Sequence, residues 1–107
     1  MIKLSNLLKE WSAQEVINQL GGNKFVAMTG AKAFVQDKSK KQLGFKIGKN
    51  SKGINYVRIT LNGNDTYDVE FIKIRGMDVR VVAKHNDVYN DELQKIFTKE
   101  TGMHTRL

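Results

Sequence analysis

Two apolar alternations, Val57, Ile59, Leu61 and Tyr67, Val69, Phe71, flank the stretch Asn62-Gly63-Asn64-Asp65-Thr66, and nothing else in the chain constrains the fold as strongly. Strand side chains point alternately to opposite faces, so each run carries one apolar face, and an antiparallel hairpin puts both on one side. The register follows: Val57 opposite Phe71, Ile59 opposite Val69 and Leu61 opposite Tyr67. That pairing needs the whole five-residue connection rather than a tight Asn-Gly turn, because a slip of one residue turns an apolar set into water. The other face then pairs Arg58 with Glu70 and Thr60 with Asp68. Beyond Phe71 the alternation changes phase, with Ile72 and Ile74 apolar and Lys73 and Arg75 charged, which calls for a bulge or a strand covered on both faces.

The remaining elements are read around this hairpin. Leu4, Leu7, Leu8 and Trp11 recur at helical spacing, and Ser12-Ala13-Gln14-Glu15 has the spacing of a capping box, so a helix or helix pair is expected over residues 1–22. Gly21-Gly22 is expected to end it. Residues 25–28 read as a strand or a buried turn, residues 33–36 as a strand, and Leu43, Phe45 and Ile47 as the apolar face of another. Gly76-Met77-Asp78 turns the chain into a strand over residues 79–83. Asn86 or Asp87 caps a closing helix that presents Tyr89, Leu93, Ile96 and Phe97 and ends at Gly102. The expectation is one α+β domain over residues 1–107: helical segment 1–22, antiparallel meander of four to five strands over 25–84, and a helix over 87–102 packed on one sheet face.

Composition narrows the class. The 107 residues are 40% hydrophobic and 27% charged, which suits one globular core, and no apolar run approaches the roughly 18 residues of a membrane-spanning helix. The N-terminus interrupts its apolar residues with charge, so a mature, cytoplasmic chain is expected. The absence of cysteine removes disulfides, thiolate metal sites and cysteine nucleophiles.

Charge is the feature with functional content. Residues 38–64 contain no Asp or Glu, yet Lys38, Lys40, Lys41, Lys46, Lys49, Lys52 and Arg58 contribute seven positive charges, and the other 11 basic residues balance all 11 acidic ones. The whole net charge of +7 is therefore local to that window. A concentrated positive field draws in polyanions. The same lysines also fit a solvated loop and an edge strand protected against aggregation. Tyr56 and Arg58 fall on the hairpin face opposite the core, beside Lys46. Lys73 and Arg75, or Arg80 and Lys84, extend that surface. A tyrosine that stacks on a base among cations that meet phosphates is the combination used by sequence-tolerant single-strand binders. The competing reading has Tyr56 shielding the sheet and Arg58 taken up by Glu70.

Other chemistry finds little support. With His85 and His104 as the two histidines, a zinc site lacks ligands. Asp65, Asp68 and Glu70 offer oxygens for magnesium, but the turn claims Asp65 and Arg58 claims Glu70. Gly48-Lys49-Asn50-Ser51-Lys52-Gly53 has the glycine spacing of a phosphate-binding loop, while Ile54-Asn55 replaces the Lys and Ser/Thr that motif needs. Nothing marks a nucleophile elbow or an acid/base pair, so no enzyme and no cofactor is expected. Asn64-Asp65-Thr66 matches a glycosylation sequon by chance.

The stretches QLGGNKF (19–25), MTGAK (28–32), ITLN (59–62), DTYDVEF (65–71), VY (88–89) and FTKETG (97–102) together resemble a group of small proteins encoded by bacteriophages and integrated mobile elements. The resemblance covers roughly residues 16–107 and implies a phage-derived protein acting inside a bacterium. It brings no assigned activity, so no residue role is carried over. A meander closed by a helix is also similar to the single-strand-binding sheets of transcription-cofactor and purine-rich-element binding domains, an analogy of fold alone. Two functions are expected on these grounds. One is a non-enzymatic nucleic-acid-binding module that prefers single strands, with Lys38, Lys40, Lys41, Lys46, Lys49, Lys52, Tyr56 and Arg58 as its site. The other is a small inhibitor or adaptor that binds a host protein, such as a defence nuclease, with the Leu4/Trp11 face offered to a partner or to a second copy in a homodimer.

Overall fold

The computed structural model describes residues 13–103, so the Leu4/Trp11 stripe, the Ser12 cap and His104 lie outside the described residues. Helix α1 (Ala13–Leu20) buries Val16 and Leu20, one turn apart. Gly21 (φ 128°) and Gly22 (φ 63°) then reverse the chain. That turn needs backbone conformations that side chains with a Cβ disfavour. A second helix, α2 (Gly22–Thr29), starts at once, with Phe25 and Thr29 buried. The reading of residues 25–28 as strand or turn, and as the start of the meander, is corrected here. Glycine ends one helix and also opens the next, and an eight-residue helix whose buried face is only Phe25 and Thr29 has too short an apolar stripe to announce its period.

Five antiparallel strands follow in the order of the chain: β1 (Lys32–Asp37), β2 (Gln42–Lys46), β3 (Tyr56–Leu61), β4 (Tyr67–Arg75) and β5 (Asp78–Val88). The β3–β4 register is the one expected, with Val57, Ile59 and Leu61 opposite Phe71, Val69 and Tyr67, and Arg58 and Thr60 opposite Glu70 and Asp68. The phase change beyond Phe71 coincides with a bulge. The register with β5 shifts between Phe71 and Ile72, from Phe71 opposite Ala83 to Ile72 opposite Val81. Strand β4 keeps its own alternation, so Ile72 turns to the face opposite Phe71 and is buried there.

Strand β5 runs past residue 83 to Val88, which is buried opposite Tyr67. Asn86 and Asp87 therefore belong to the strand and do not cap the closing helix. A 3₁₀ turn (Asn90–Glu92) precedes α3 (Leu93–Thr101), where the Glu92 side chain accepts from the Tyr89 N–H. Leu93 and Phe97 are buried, Tyr89 is exposed, and Gly102 closes the helix with its N–H on the Thr98 carbonyl at 2.8 Å.

The three helices of the described residues lie on the sheet face that carries Val57, Ile59, Val69 and Phe71. Phe25 is the junction: its ring meets Phe45 of β2 edge-on at 5.6 Å and Phe97 of α3 at 5.2 Å, and Phe97 in turn packs on Phe71 at 6.3 Å. His85 and Glu100, 2.6 Å apart, tie β5 to α3 beside this cluster. No helix among the described residues is long and apolar enough to cross a membrane.

Truncating Phe25 to Ala removes the ring that joins β2 to α3, and urea denaturation should show a loss of about 3–5 kcal/mol, a large share of a small domain's stability. Tyr67 supplies a pH signature. Burial, with Glu15 nearby, raises its hydroxyl pKa above the ordinary 10.0. Between 10.0 and that higher value the unfolded chain holds fewer protons than the folded one, so stability falls as pH rises through this window. In Tyr67→Phe the denaturation midpoint should decline less steeply over the same range.

Candidate nucleic-acid interface

Alternation along β3 sends Tyr56, Arg58 and Thr60 to the side away from the helices. Strand register then assembles rows across that face. One row runs Lys32, Lys46, Tyr56, Ile72; the next runs Gly44, Arg58, Glu70, Lys84. Gly44 is the reason Tyr56 sits as it does. A Cβ built on Gly44 would lie 2.1 Å from the Tyr56 hydroxyl oxygen and 2.8 Å from its Cζ, so the ring rests against the bare backbone of β2. Gly44 is buried under it, and Tyr56 is half-buried. Glycine weakens a strand interior unless a neighbouring aromatic covers the gap, and here one does.

The electrostatics of this face are mixed. Arg58 donates to Glu70 at 3.1 Å, the expected cross-strand pair, with both side chains partly solvated. Pairs of that kind contribute about 0–1 kcal/mol, so its main consequence is to hold the carboxylate in place. The Asp68 carboxylate accepts from the Asn62 side chain at 3.1 Å and from the Asp87 N–H at 3.2 Å. Both carboxylates are thus engaged within the sheet, whereas Lys32 and Lys46 form no ion pair with a described residue. Asp65 sits in the turn at φ 60°. The magnesium reading of Asp65, Asp68 and Glu70 gains nothing from this geometry.

The basic window of the sequence is not one patch. Lys38, Lys40 and Lys41 occupy the β1–β2 turn, where Asp37 accepts from the Ser39 hydroxyl at 2.7 Å and the Lys40 N–H at 3.2 Å. The Ser39 hydroxyl first, and that N–H next, hold the Asp37 carboxyl below its ordinary 3.8. Lys49 and Lys52 occupy the β2–β3 loop at the opposite end of the sheet. Strand β2 separates the two groups by roughly 17 Å, five residues at about 3.4 Å each. Lys46 stands between them beside Tyr56.

The cations expected to extend the surface divide as well. Lys84 joins the Tyr56 side opposite Glu70, while Lys73 pairs with Arg80 on the other face, together with Arg75. Lys32 joins the Tyr56 row although nothing in the linear sequence marks it. It precedes the window, separated from it by Asp37, and only the antiparallel pairing of β1 with β2 brings it beside Lys46. A strand rather than a helix follows the Gly48–Gly53 loop, so no helix N-terminus is presented to a phosphate there. No protein-family model, no curated protein and no solved structure matches the chain.

A double-mutant cycle tests the Gly44–Tyr56 contact. Gly44→Ala should destabilise the protein by about 1–3 kcal/mol, the range for overpacking. In the Tyr56→Ala background most of that loss should vanish, because the atom the new methyl would meet is gone. Additive losses in urea denaturation would show that the ring does not rest on Gly44.

Proposed function

We propose that the sheet face around Tyr56 binds single-stranded nucleic acid and that the protein is a non-enzymatic binding module. The observation that carries this reading is the Tyr56 ring laid over Gly44 with Lys46 and Lys32 beside it. A ring already held against the backbone loses little freedom when a base stacks on it, and such stacking contributes about 1–3 kcal/mol per base. Lysine ammonium groups on the same row suit the phosphates on either side of that base. The turn lysines Lys38, Lys40 and Lys41 and the loop lysines Lys49 and Lys52 bracket the face, so a strand lying along β2 and β3 passes from one group over Tyr56 to the other. Arg58 serves as a positioning residue, since it neutralises Glu70 where a phosphate would otherwise be repelled.

A second reading has one observation in its favour. Strand β5 is an eleven-residue sheet edge on which Val79, Val81 and Val82 are each about half exposed and Met77 is fully exposed at its turn. An edge of that kind accepts an added strand from a protein partner, which fits a small inhibitor or adaptor that binds a host protein.

Fluorescence anisotropy with short single-stranded DNA, RNA and duplex at two salt concentrations separates the readings. The nucleic-acid reading expects single-strand binding that weakens steeply with salt. It also expects a loss of about tenfold in Tyr56→Ala, within the stacking range, with binding retained in Tyr56→Phe and reduced in Lys46→Glu. No binding at low salt, or a Tyr56→Ala variant that binds like the parent, overturns it. Capture of a host protein from nuclease-treated lysate, lost when Val79 and Val81 are changed to Lys, would then support the second reading.

A further inference from the structure

We propose that the cleft between the β2–β3 loop and the end of β4 is an anion site that takes the phosphate of a phosphomonoester. It shares Lys49 with the path proposed for the strand and makes no use of the Tyr56 ring. The cleft is an open hollow of about 310 Å³, lined by Lys49 and Asn50 of the loop and Arg75 of β4 together with Ile47 and Ile54. That volume is at the small end of ligand sites and suits a compact polar group.

Three features make this a formed site rather than a group of mobile lysines. First, Asn50 sets the shape of the loop. Its Oδ1 accepts from the N–H groups of Lys52 and Ile54, both at 3.2 Å, and its Nδ2 donates to the carbonyls of Gly48 at 3.1 Å and Ile54 at 2.6 Å. Second, Asn55 joins the loop to β4 as an extra rung of the sheet. Its Nδ2 donates to the Ile74 carbonyl at 2.8 Å and its Oδ1 accepts from the Ile74 N–H at 2.8 Å. The loop that carries Lys49 is thereby held one residue from Arg75. Third, Lys73 reaches back to the loop, where its Nζ would lie 3.2 Å from a Cβ built on Gly53.

The charges are open to a ligand. Lys49, Lys73 and Arg75 form no ion pair with a described residue, and Asp78, which stands opposite Arg75 in register, is drawn off to Arg80 at 3.4 Å. Arg75 also lines a second hollow of about 170 Å³ with Lys73, Asp78 and Arg80, so it is the shared wall of the two. A guanidinium that meets two oxygens at once, with an ammonium lining the same cleft, fits a tetrahedral dianion better than a planar monoanion.

Titration of the ¹⁵N-labelled full chain tests this at constant ionic strength. Inorganic phosphate and adenosine 5′-monophosphate should move the amides of residues 48–55 and of Arg75 saturably, and adenosine should leave them in place. Lys49→Gln and Arg75→Gln each remove one charge-assisted contact from an exposed position and should weaken binding at least about tenfold, whereas the distant Lys40→Gln should not. A 5′-phosphorylated oligonucleotide that binds more tightly than its 5′-hydroxyl twin identifies a strand end as the source; equal binding of the two identifies a free phosphomonoester. Phosphate shifts spread evenly over the exposed lysines, or an Arg75→Gln variant that titrates like the parent, overturn the proposal. Because the Tyr56→Ala variant should titrate normally here, failure of one site leaves the other standing.

Discussion

Between β3 and β4 the side chain of Asn62 accepts from the Asn64 N–H at 2.8 Å and from the Thr66 N–H and hydroxyl, and it donates to Asp68 and Asp87. That knot sets the length of the connection, and the length sets which face every residue of both strands occupies. With Val57, Ile59, Val69 and Phe71 on one side, the helices have a surface to dock on, and Phe25 closes it against Phe45 and Phe97. The opposite side receives whatever alternates with those residues. Its tyrosine, its cations and its carboxylates are a consequence of the core, sorted by the same period of two.

The hairpin was legible because an apolar pattern and a turn length had to agree, and only one register satisfied both. The closing helix was legible from Leu93, Ile96 and Phe97, although its start was read several residues early. Asn86 and Asp87 are good capping residues, and nothing local says that Val88 must first reach the core opposite Tyr67. Asp87 adopts φ 57° and accepts from Asn62 and Thr66, a role set by contacts about twenty residues away along the chain. Helix α2 was missed for a different reason. Its amphipathic face is two residues long, and tertiary packing of Phe25 decides its conformation more than any local period does.

Charge shows the sharpest difference between sequence and space. A window free of acidic residues reads as one basic patch, but a strand of five residues carries its two ends to opposite ends of the sheet. The turn lysines share their end with Asp37 and the Asn62 knot, and the loop lysines share theirs with Lys73 and Arg75 from much later in the chain. Antiparallel pairing also adds Lys32 to the Tyr56 row. Neighbours across a sheet are set by register, which a count of charges along the chain does not contain.

Gly44 links the core to the face that carries the proposed function. In the middle of a strand glycine is worth roughly 0.5–1 kcal/mol less than alanine, so its presence needs a compensating contact. Tyr56 supplies one by covering the bare backbone, and the cover fixes the ring. A tyrosine free to rotate would surrender side-chain entropy on stacking, whereas one already seated has surrendered it on folding. The face carries four cations, Lys32, Lys46, Arg58 and Lys84, against three carboxylates, Asp37, Asp68 and Glu70, and the Arg58–Glu70 pair reduces its field further. On the proposed reading, attraction of phosphates alone is therefore modest on this face, and the seated ring carries the discrimination between a single strand, whose bases are free to stack, and a duplex, whose bases are not.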